Sequence, residues 1–373
     1  MRNPSVRPEI RERRMPNWSS ASIVHFESTD DRHSAFNRAH VPTVERWQLL
    51  YEAVQSNPAL RTIAAQLRQY KELLLTTQPQ TDPLSEHLQT ALPNADIKAL
   101  PLLLHTDLED VIQQLERPYV LTTSSTHRST GQVLEAVHRL GDFETGPRAI
   151  LSFDHHSDLE TIDQPAESGD LPSKSNVMAY VLKKKLVDAV AVFGTSEFYA
   201  MPPGLKHTVI PSSALYADGL PQRRQFIEAL RVTFDRWQKQ GIRQLYTSVD
   251  LDSLRLPSQL YSGTDYNPID RLRTLLLAPD LEQMIGDPQL TSFLSHYRSY
   301  DADTYQGIPA AWIPLAMQTA RTEFGMTIGI KKHRSEQRIV GDVVEYVGPD
   351  LDGRTAKISA AILSSMLAEA QIV

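Results

Sequence analysis

Arg148-Ala-Ile-Leu-Ser-Phe-Asp-His-His-Ser-Asp158 is the most informative stretch of the chain. Its first half reads as a short buried strand, and acidic and histidine side chains crowd the place where that strand ends. Asp154, His156 and Asp158 follow one another at i, i+2 and i+4, so an extended backbone would turn all three to one side. Outward from this stretch, short β-rich runs alternate with amphipathic helical ones. Strands are expected at 119–123, 148–153, 189–194 and 245–249, with extended segments at 326–330 and 340–345. Helices are expected at 131–140, 174–185, 222–240, 309–324 and 355–370. Alternation of this kind predicts an α/β protein of three layers, a mainly parallel central sheet covered by helices on both faces.

The N-terminal third contributes a first strand at 22–26, helices at 44–55 and 60–75, and a polar, Pro-punctuated connection at 76–96. Residues 267–306 interrupt the later alternation as a helical or loop insertion. Residues 1–20 read as a flexible basic tail, with Arg2, Arg7, Arg11, Arg13 and Arg14 set among Pro4, Pro8 and Pro16. No apolar segment follows that would make a signal peptide. Residues 21–373 are expected to form a single domain, its core at 118–373.

The 373 residues are 41% hydrophobic and 22% charged, which is globular composition. The net charge of −7 argues against broad attraction to nucleic acid or anionic lipid. No apolar run approaches a membrane span. There are no cysteines, so disulfides, thiolate metal sites and cysteine nucleophiles are excluded, and any metal must sit on His, Asp or Glu. That absence fits a reducing, cytoplasmic setting.

Two further runs resemble the first in kind. Tyr246-Thr-Ser-Val-Asp250-Leu-Asp252 ends an expected strand with carboxylates at i and i+2, and His127 follows the strand at 119–123. Taken singly, each could be a solvated turn or a polar loop. Together they follow apolar strands, and ligands of parallel α/β sheets bind beyond the strands' carboxyl ends. Three such ends would bring four carboxylates and two imidazoles into one crevice, where the anions would repel unless divalent cations joined them. An oxygen-rich shell with a minority of imidazole suits manganese better than structural zinc.

The chain resembles the arginase–agmatinase–formiminoglutamase (ureohydrolase) family, whose Asp-x-His-x-Asp and Ser-x-Asp-x-Asp strand ends stand here as Asp154-His-His156-Ser-Asp158 and Ser248-Val-Asp250-Leu-Asp252. Ser124-Ser-Thr-His127-Arg-Ser129 is a loose match to the family's Gly-Gly-Asp-His-Ser. Asp342-Val-Val-Glu345-Tyr-Val-Gly-Pro349 is similar to its Glu-Val-Asn-Pro strand end. The resemblance covers about residue 118 to the end. It implies an arginase-like fold and two manganese ions, one on His127, Asp154, Asp158 and Asp250, the other on Asp154, His156, Asp250 and Asp252. It further implies guanidino hydrolysis to urea by a hydroxide held between the metals, with Asp158 steering the hydroxide and Glu345 pairing with the guanidinium. Family members commonly form trimers or hexamers, so a homo-oligomer is one expectation.

The sequence also departs from that pattern. Glu160 stands where the family usually has an Asn for the α-carboxylate of free arginine. The loop 161–175 lacks the Gly-x-x-His-Gly that supplies a proton-transfer histidine, and a gapless comparison puts Lys174 nearby. Glu160 and Lys174 are therefore candidate substrate-binding residues of altered character. A clamp missing for the free amino acid points to arginine within a peptide, as in peptide arginases, which make ornithine in ribosomal peptides. Free arginine, agmatine or another small guanidino substrate is the alternative. A deacetylase-like amidohydrolase with one zinc, and a non-catalytic scaffold, are rivals from other classes.

Overall fold

The computed structural model describes residues 16–27, 40–75, 88–90, 92–101, 105–144, 146–159, 172–173, 175–195, 206–254, 268–285, 307–333, 335–346 and 354–372. In chain order these give β1 (Ala21–Glu27), α1 (Val44–Gln55), α2 (Arg61–Gln69), α3 (Lys71–Leu74), β2 (Asp96–Pro101) and α4 (His105–Gln113). Next come β3 (Tyr119–Ser124), α5 (Arg128–Leu140), β4 (Arg148–Phe153), α6 (Val177–Lys183), β5 (Ala189–Thr195) and β6 (His207–Pro211). The short pair β7 (Tyr216–Ala217) and β8 (Leu220–Pro221) precedes α7 (Arg223–Lys239), β9 (Gln244–Asp250), α8 (Pro268–Leu277) and α9 (Leu281–Ile285). The chain closes with α10 (Trp312–Phe324), β10 (Thr327–Ile328), β11 (Ile330–Lys331), β12 (Arg338–Val344) and α11 (Arg354–Gln371).

The main sheet runs β2-β1-β3-β12-β9-β4-β5-β6, and every neighbouring pair in that order is parallel. β10 adds in parallel to β9, and β11 turns back antiparallel on β12. Side chains alternate across this sheet and build two cores. Ala149, Leu151 and Phe153 of β4 face one core with Phe226 and Phe234 of α7, Ile313 of α10 and Leu363 of α11. Ile150 faces the other with Val133 and Val137 of α5 and Val177 and Val181 of α6. Helix, sheet and helix make the three layers the alternation predicts.

A third cluster lies apart from both. Trp47, Leu50 and Val54 of α1 and Ile63 and Leu67 of α2 pack with Leu272, Leu275 and Leu276 of α8. Arg46 donates to the carbonyls of Leu276 and Ala278, and Arg273 donates to that of Leu74. The N-terminal helices and the start of the 267–306 segment thus form one satellite. The rest of that segment, 286–306, lies outside the described residues, as do 76–87 of the polar connection and 1–15 of the basic tail. From the remainder of the tail, Trp18 is buried and Asn17 exchanges backbone hydrogen bonds with the Gln371 amide at the end of α11.

Several elements differ from expectation for identifiable reasons. The helix expected at 60–75 divides at Tyr70, whose backbone leaves helical geometry (φ −99°, ψ 11°) as its ring enters the satellite core. β2 and β6 were not expected. Both stand at the sheet's edges, and β6 is partly exposed along its length, so neither needs an apolar run.

Candidate metal centre

The sheet order explains why the candidate residues meet. β3, β12, β9 and β4 are consecutive, and their carboxyl ends are level: Val343 pairs with Thr123 and with Val249, Val344 with Asp250, and Phe153 with Val249. Neighbouring strands lie about 4.8 Å apart, so the first residues beyond each end are within reach of the next strand's. His127 follows β3, Glu345 follows β12, Asp250 ends β9 with Asp252 just beyond it, and Asp154, His156 and Asp158 follow β4.

Local turns then aim the side chains. The i, i+2, i+4 spacing predicts an extended run, but β4 stops at Phe153 and β9 at Asp250. In both places the first carboxylate folds the chain over itself. Asp154 Oδ1 accepts the His156 N–H at 2.7 Å, and Asp250 Oδ1 accepts the Asp252 N–H at 3.0 Å. This is the Asx turn, which short acidic side chains favour. It spends one oxygen of each aspartate on the backbone and leaves Oδ2 to face the site. Asp158 comes back toward His127 through a left-handed backbone (φ 50°), and Glu345 adopts a similar one (φ 60°). Such conformations cost non-glycine residues roughly 1–3 kcal/mol and gather at functional sites. At Asp158 the carbonyl accepts from the N–H groups of Met178 and Ala179, anchoring the turn on α6.

The resulting distances are short. His127 Nδ1 lies 3.0 Å from Asp154 Oδ2, 2.9 Å from Asp158 Oδ2 and 3.5 Å from Asp250 Oδ2. His156 Nδ1 lies 3.1 Å from Asp252 Oδ2 and 3.7 Å from Asp154 Oδ1. Three overlapping triads have one ligand atom per residue within 4.8 Å of each other: His127, Asp154 and Asp250; Asp154, His156 and Asp252; and Asp250, Asp252 and Glu345. Thus all six expected metal residues converge. Glu345 stands close enough to join Asp250 and Asp252 around a cation, which its assignment to a guanidinium did not anticipate. Glu160 and Lys174 lie outside the described residues.

Electrostatics agree with a cation-shaped hole in the charge balance. Burial and then the charges of Asp252, Glu345 and Asp154 push the Asp250 carboxyl well above the usual range. Asp154 is pushed up to about 7, by burial first and then Asp158, against the pull of His127. Burial would lower His127, but Asp154 and Asp158 outweigh it and raise the imidazole well above its ordinary value. The same contest at His156, against Asp252 above all, ends at about 10. Protons therefore hold the carboxylates together in the metal-free protein. A better glue is suggested by three buried atoms, His127 Nδ1, Asp154 Oδ2 and Asp252 Oδ2, which make no aligned hydrogen bond despite their closeness. Lone pairs that converge on a point rather than on one another's hydrogens fit a divalent cation.

Fold and site together define an α/β protein with a candidate two-metal centre at the carboxyl edge of a parallel sheet. No protein-family model and no curated protein sequence matches the chain. Among solved structures it is similar to a hypothetical agmatinase from Burkholderia thailandensis, at TM-score 0.46 and 14% identity over 95% of this chain and 87% of that one. It is similar also to formimidoylglutamase from Bacillus subtilis, at 0.46 and 11% over 99% and 96%. Proclavaminate amidino hydrolase from Streptomyces clavuligerus gives 0.45 and 16% over 96% and 95%. No helix among the described residues is long and apolar enough to cross a membrane.

Proposed function

We propose that the chain is a manganese-dependent ureohydrolase that cleaves the guanidino group of arginine held within a peptide, giving ornithine and urea. The observation that carries the reading is the pair of triads that share Asp154, one completed by His127 and Asp250 and the other by His156 and Asp252, with Glu345 forming a third triad with Asp250 and Asp252. His127, Asp154, Asp158 and Asp250 would hold one metal, and Asp154, His156, Asp250 and Asp252 the other. Two divalent cations bound there would supply a water that ionises near neutral pH. Manganese is favoured over zinc because carboxylates outnumber imidazoles.

Glu345 presents a carboxylate, and a guanidinium is a planar fork of donors that stays charged at physiological pH. Pairing the two fixes the guanidinium carbon over the carboxylate cluster. Asp158 accepts the hydrogen of the attacking water. A C–O bond forms, the bond from the guanidinium carbon to the side-chain nitrogen breaks, and both hydrogens of the water end on the departing amine, which leaves as an ammonium.

The peptidyl part of the reading is supported by the satellite of α1, α2 and α8. Both excursions that build it leave from carboxyl ends of sheet strands, one after β1 at Glu27 and one beyond Asp252, and Ile308 rejoins the chain beside Ser253. Extra helices rooted at the site's edge suit a large substrate. Urea release by the manganese-loaded protein from an arginine-bearing peptide, free arginine and agmatine tests the proposal. The peptide should be turned over best. Strong preference for free arginine or agmatine would end the peptidyl reading, and one zinc per chain with no urea from any substrate would end the ureohydrolase reading.

A further inference from the structure

Asp342 sits inside β12, three residues before Glu345, fully buried and without a role in the chemistry above. Its carboxylate collects three hydroxyl hydrogens. Thr130 Oγ1 and Tyr246 OH each donate to Oδ2 at 2.7 Å, and Ser248 Oγ donates to Oδ1 at 2.5 Å. Burial raises the carboxyl's pKa above its ordinary value, though the charge of His127 and these three bonds oppose the shift. Three donors around one buried carboxyl suit the ionised form, which only accepts.

Ser248 stands between this carboxylate and the proposed metal centre, with its oxygen 3.0 Å from His127 Nε2. A serine has one hydrogen to give. With that hydrogen on Asp342, Ser248 can only accept, so His127 Nε2 must carry a hydrogen of its own. The neutral ring then has its lone pair on Nδ1, the nitrogen that faces Asp154, Asp158 and Asp250. We infer that Asp342, acting through Ser248, fixes the His127 tautomer that offers Nδ1 to a metal. Asp342 is thus a positioning residue, and this role rests on the metal-centre reading.

Counting hydrogens also says what happens without it. Once the ring is neutral, as a metal ligand must be, a Ser248 hydroxyl freed from Asp342 can turn and donate to Nε2, which places the remaining ring hydrogen on Nδ1 and blocks the ligand position. A substitution that acts only this way should matter only while Ser248 is present.

The test is a double-mutant cycle read as metal affinity by titration calorimetry of the metal-free protein with Mn2+. Asp342→Ala and Ser248→Ala should each weaken one metal equivalent by about 10- to 100-fold, the usual effect of losing a partner that orients a ligand. Asp342→Ala should add nothing in the Ser248→Ala background. If Asp342→Ala alone does not fold, Asp342→Val with Tyr246→Phe and Thr130→Val replaces the carboxylate and its two donors other than Ser248 by apolar groups and carries the same comparison. In the zinc-loaded wild type, nitrogen-15 spectra should place the His127 hydrogen on Nε2. Additive losses, an unchanged affinity without Asp342, or a hydrogen on Nδ1 would overturn the inference. Wild type that takes up no metal would instead overturn the metal-centre reading beneath it.

Discussion

Asp250 is the most crowded carboxylate of the site, and its substitution separates metal binding from folding. With no metal bound, burial and then the charges of Asp252, Glu345 and Asp154 oppose its ionisation. Asp250→Asn should leave the metal-free protein as stable as wild type or slightly more so, because it removes that repulsion while keeping an oxygen for the Asp252 N–H. Mn2+ at a hundredfold over its Kd stabilises a single site by about 2.7 kcal/mol. Wild type should gain a few degrees in Tm on adding Mn2+, and Asp250→Asn should lose most of that gain. An equal gain in both proteins would remove Asp250 from the ligand set. A second consequence concerns protons. His127 is raised well above its ordinary value and His156 is pushed up to about 10, so both favour the protonated form in the metal-free protein. Each must give up a proton to become a ligand, so metal uptake releases protons and apparent affinity rises with pH up to about 10, where the His156 proton is lost. Calorimetric heats measured in two buffers of different ionisation enthalpy count these protons, and heats independent of buffer would contradict the assignment.

At the scale of elements, the strands that carry the site were legible because they are central. β3, β4, β5, β9 and β12 lie inside the sheet and need apolar residues on both faces, so their runs stand out, whereas the edge strands β2 and β6 are free of that demand. Which residues cluster was also legible, since charged side chains gathered at the ends of buried strands lose their hydration and must be neutralised by one another or by a cation. How they cluster was not. The Asx turns at Asp154 and Asp250 and the left-handed backbone at Asp158 and Glu345 are three-dimensional choices that the spacing i, i+2 does not encode. The clue to Asp342 was present, an acid inside the apolar run Arg338–Val344, yet its partners come from β9 and α5. Gly341 shows how tightly these strands are set. A Cβ there would stand 2.0 Å from the Thr247 carbonyl oxygen and 2.7 Å from Met366 Cε. Backbone cannot yield as a side-chain tip does, so Gly341→Ala must push β12 from β9 beside the Asp342–Ser248 contact. A loss of about 1–3 kcal/mol or more is expected from such overpacking, read by urea denaturation. Metal affinity should fall with it, and an unchanged urea midpoint would show that the strands can part without cost.

Across the whole molecule, the question is why an α/β layer structure carries a separate helical satellite. The two sheet cores are complete without it: α7, α10 and α11 cover one face and α4, α5 and α6 the other. The satellite's apolar residues satisfy one another instead, Trp47 and Leu50 against Leu272 and Leu276, across more than two hundred residues of chain. A part that the central fold does not need, attached by chain leaving the carboxyl edge of the sheet, fits a role in holding substrate. Leu276 is fully buried in that cluster, and Leu276→Asp would place an unpaired carboxylate there, which the satellite cannot accommodate without opening. Among the described residues Leu276 belongs to the satellite cluster and to neither sheet core, so Mn2+ stoichiometry and affinity should stay at wild-type values. Turnover should then divide by substrate size: kcat/KM for an arginine-bearing peptide should drop at least about tenfold, a cost of about 1.4 kcal/mol in transition-state binding, while any slow hydrolysis of agmatine persists. Equal losses on both substrates with metal intact would mean the satellite supports the site as a whole, and no loss on the peptide would detach it from substrate binding altogether.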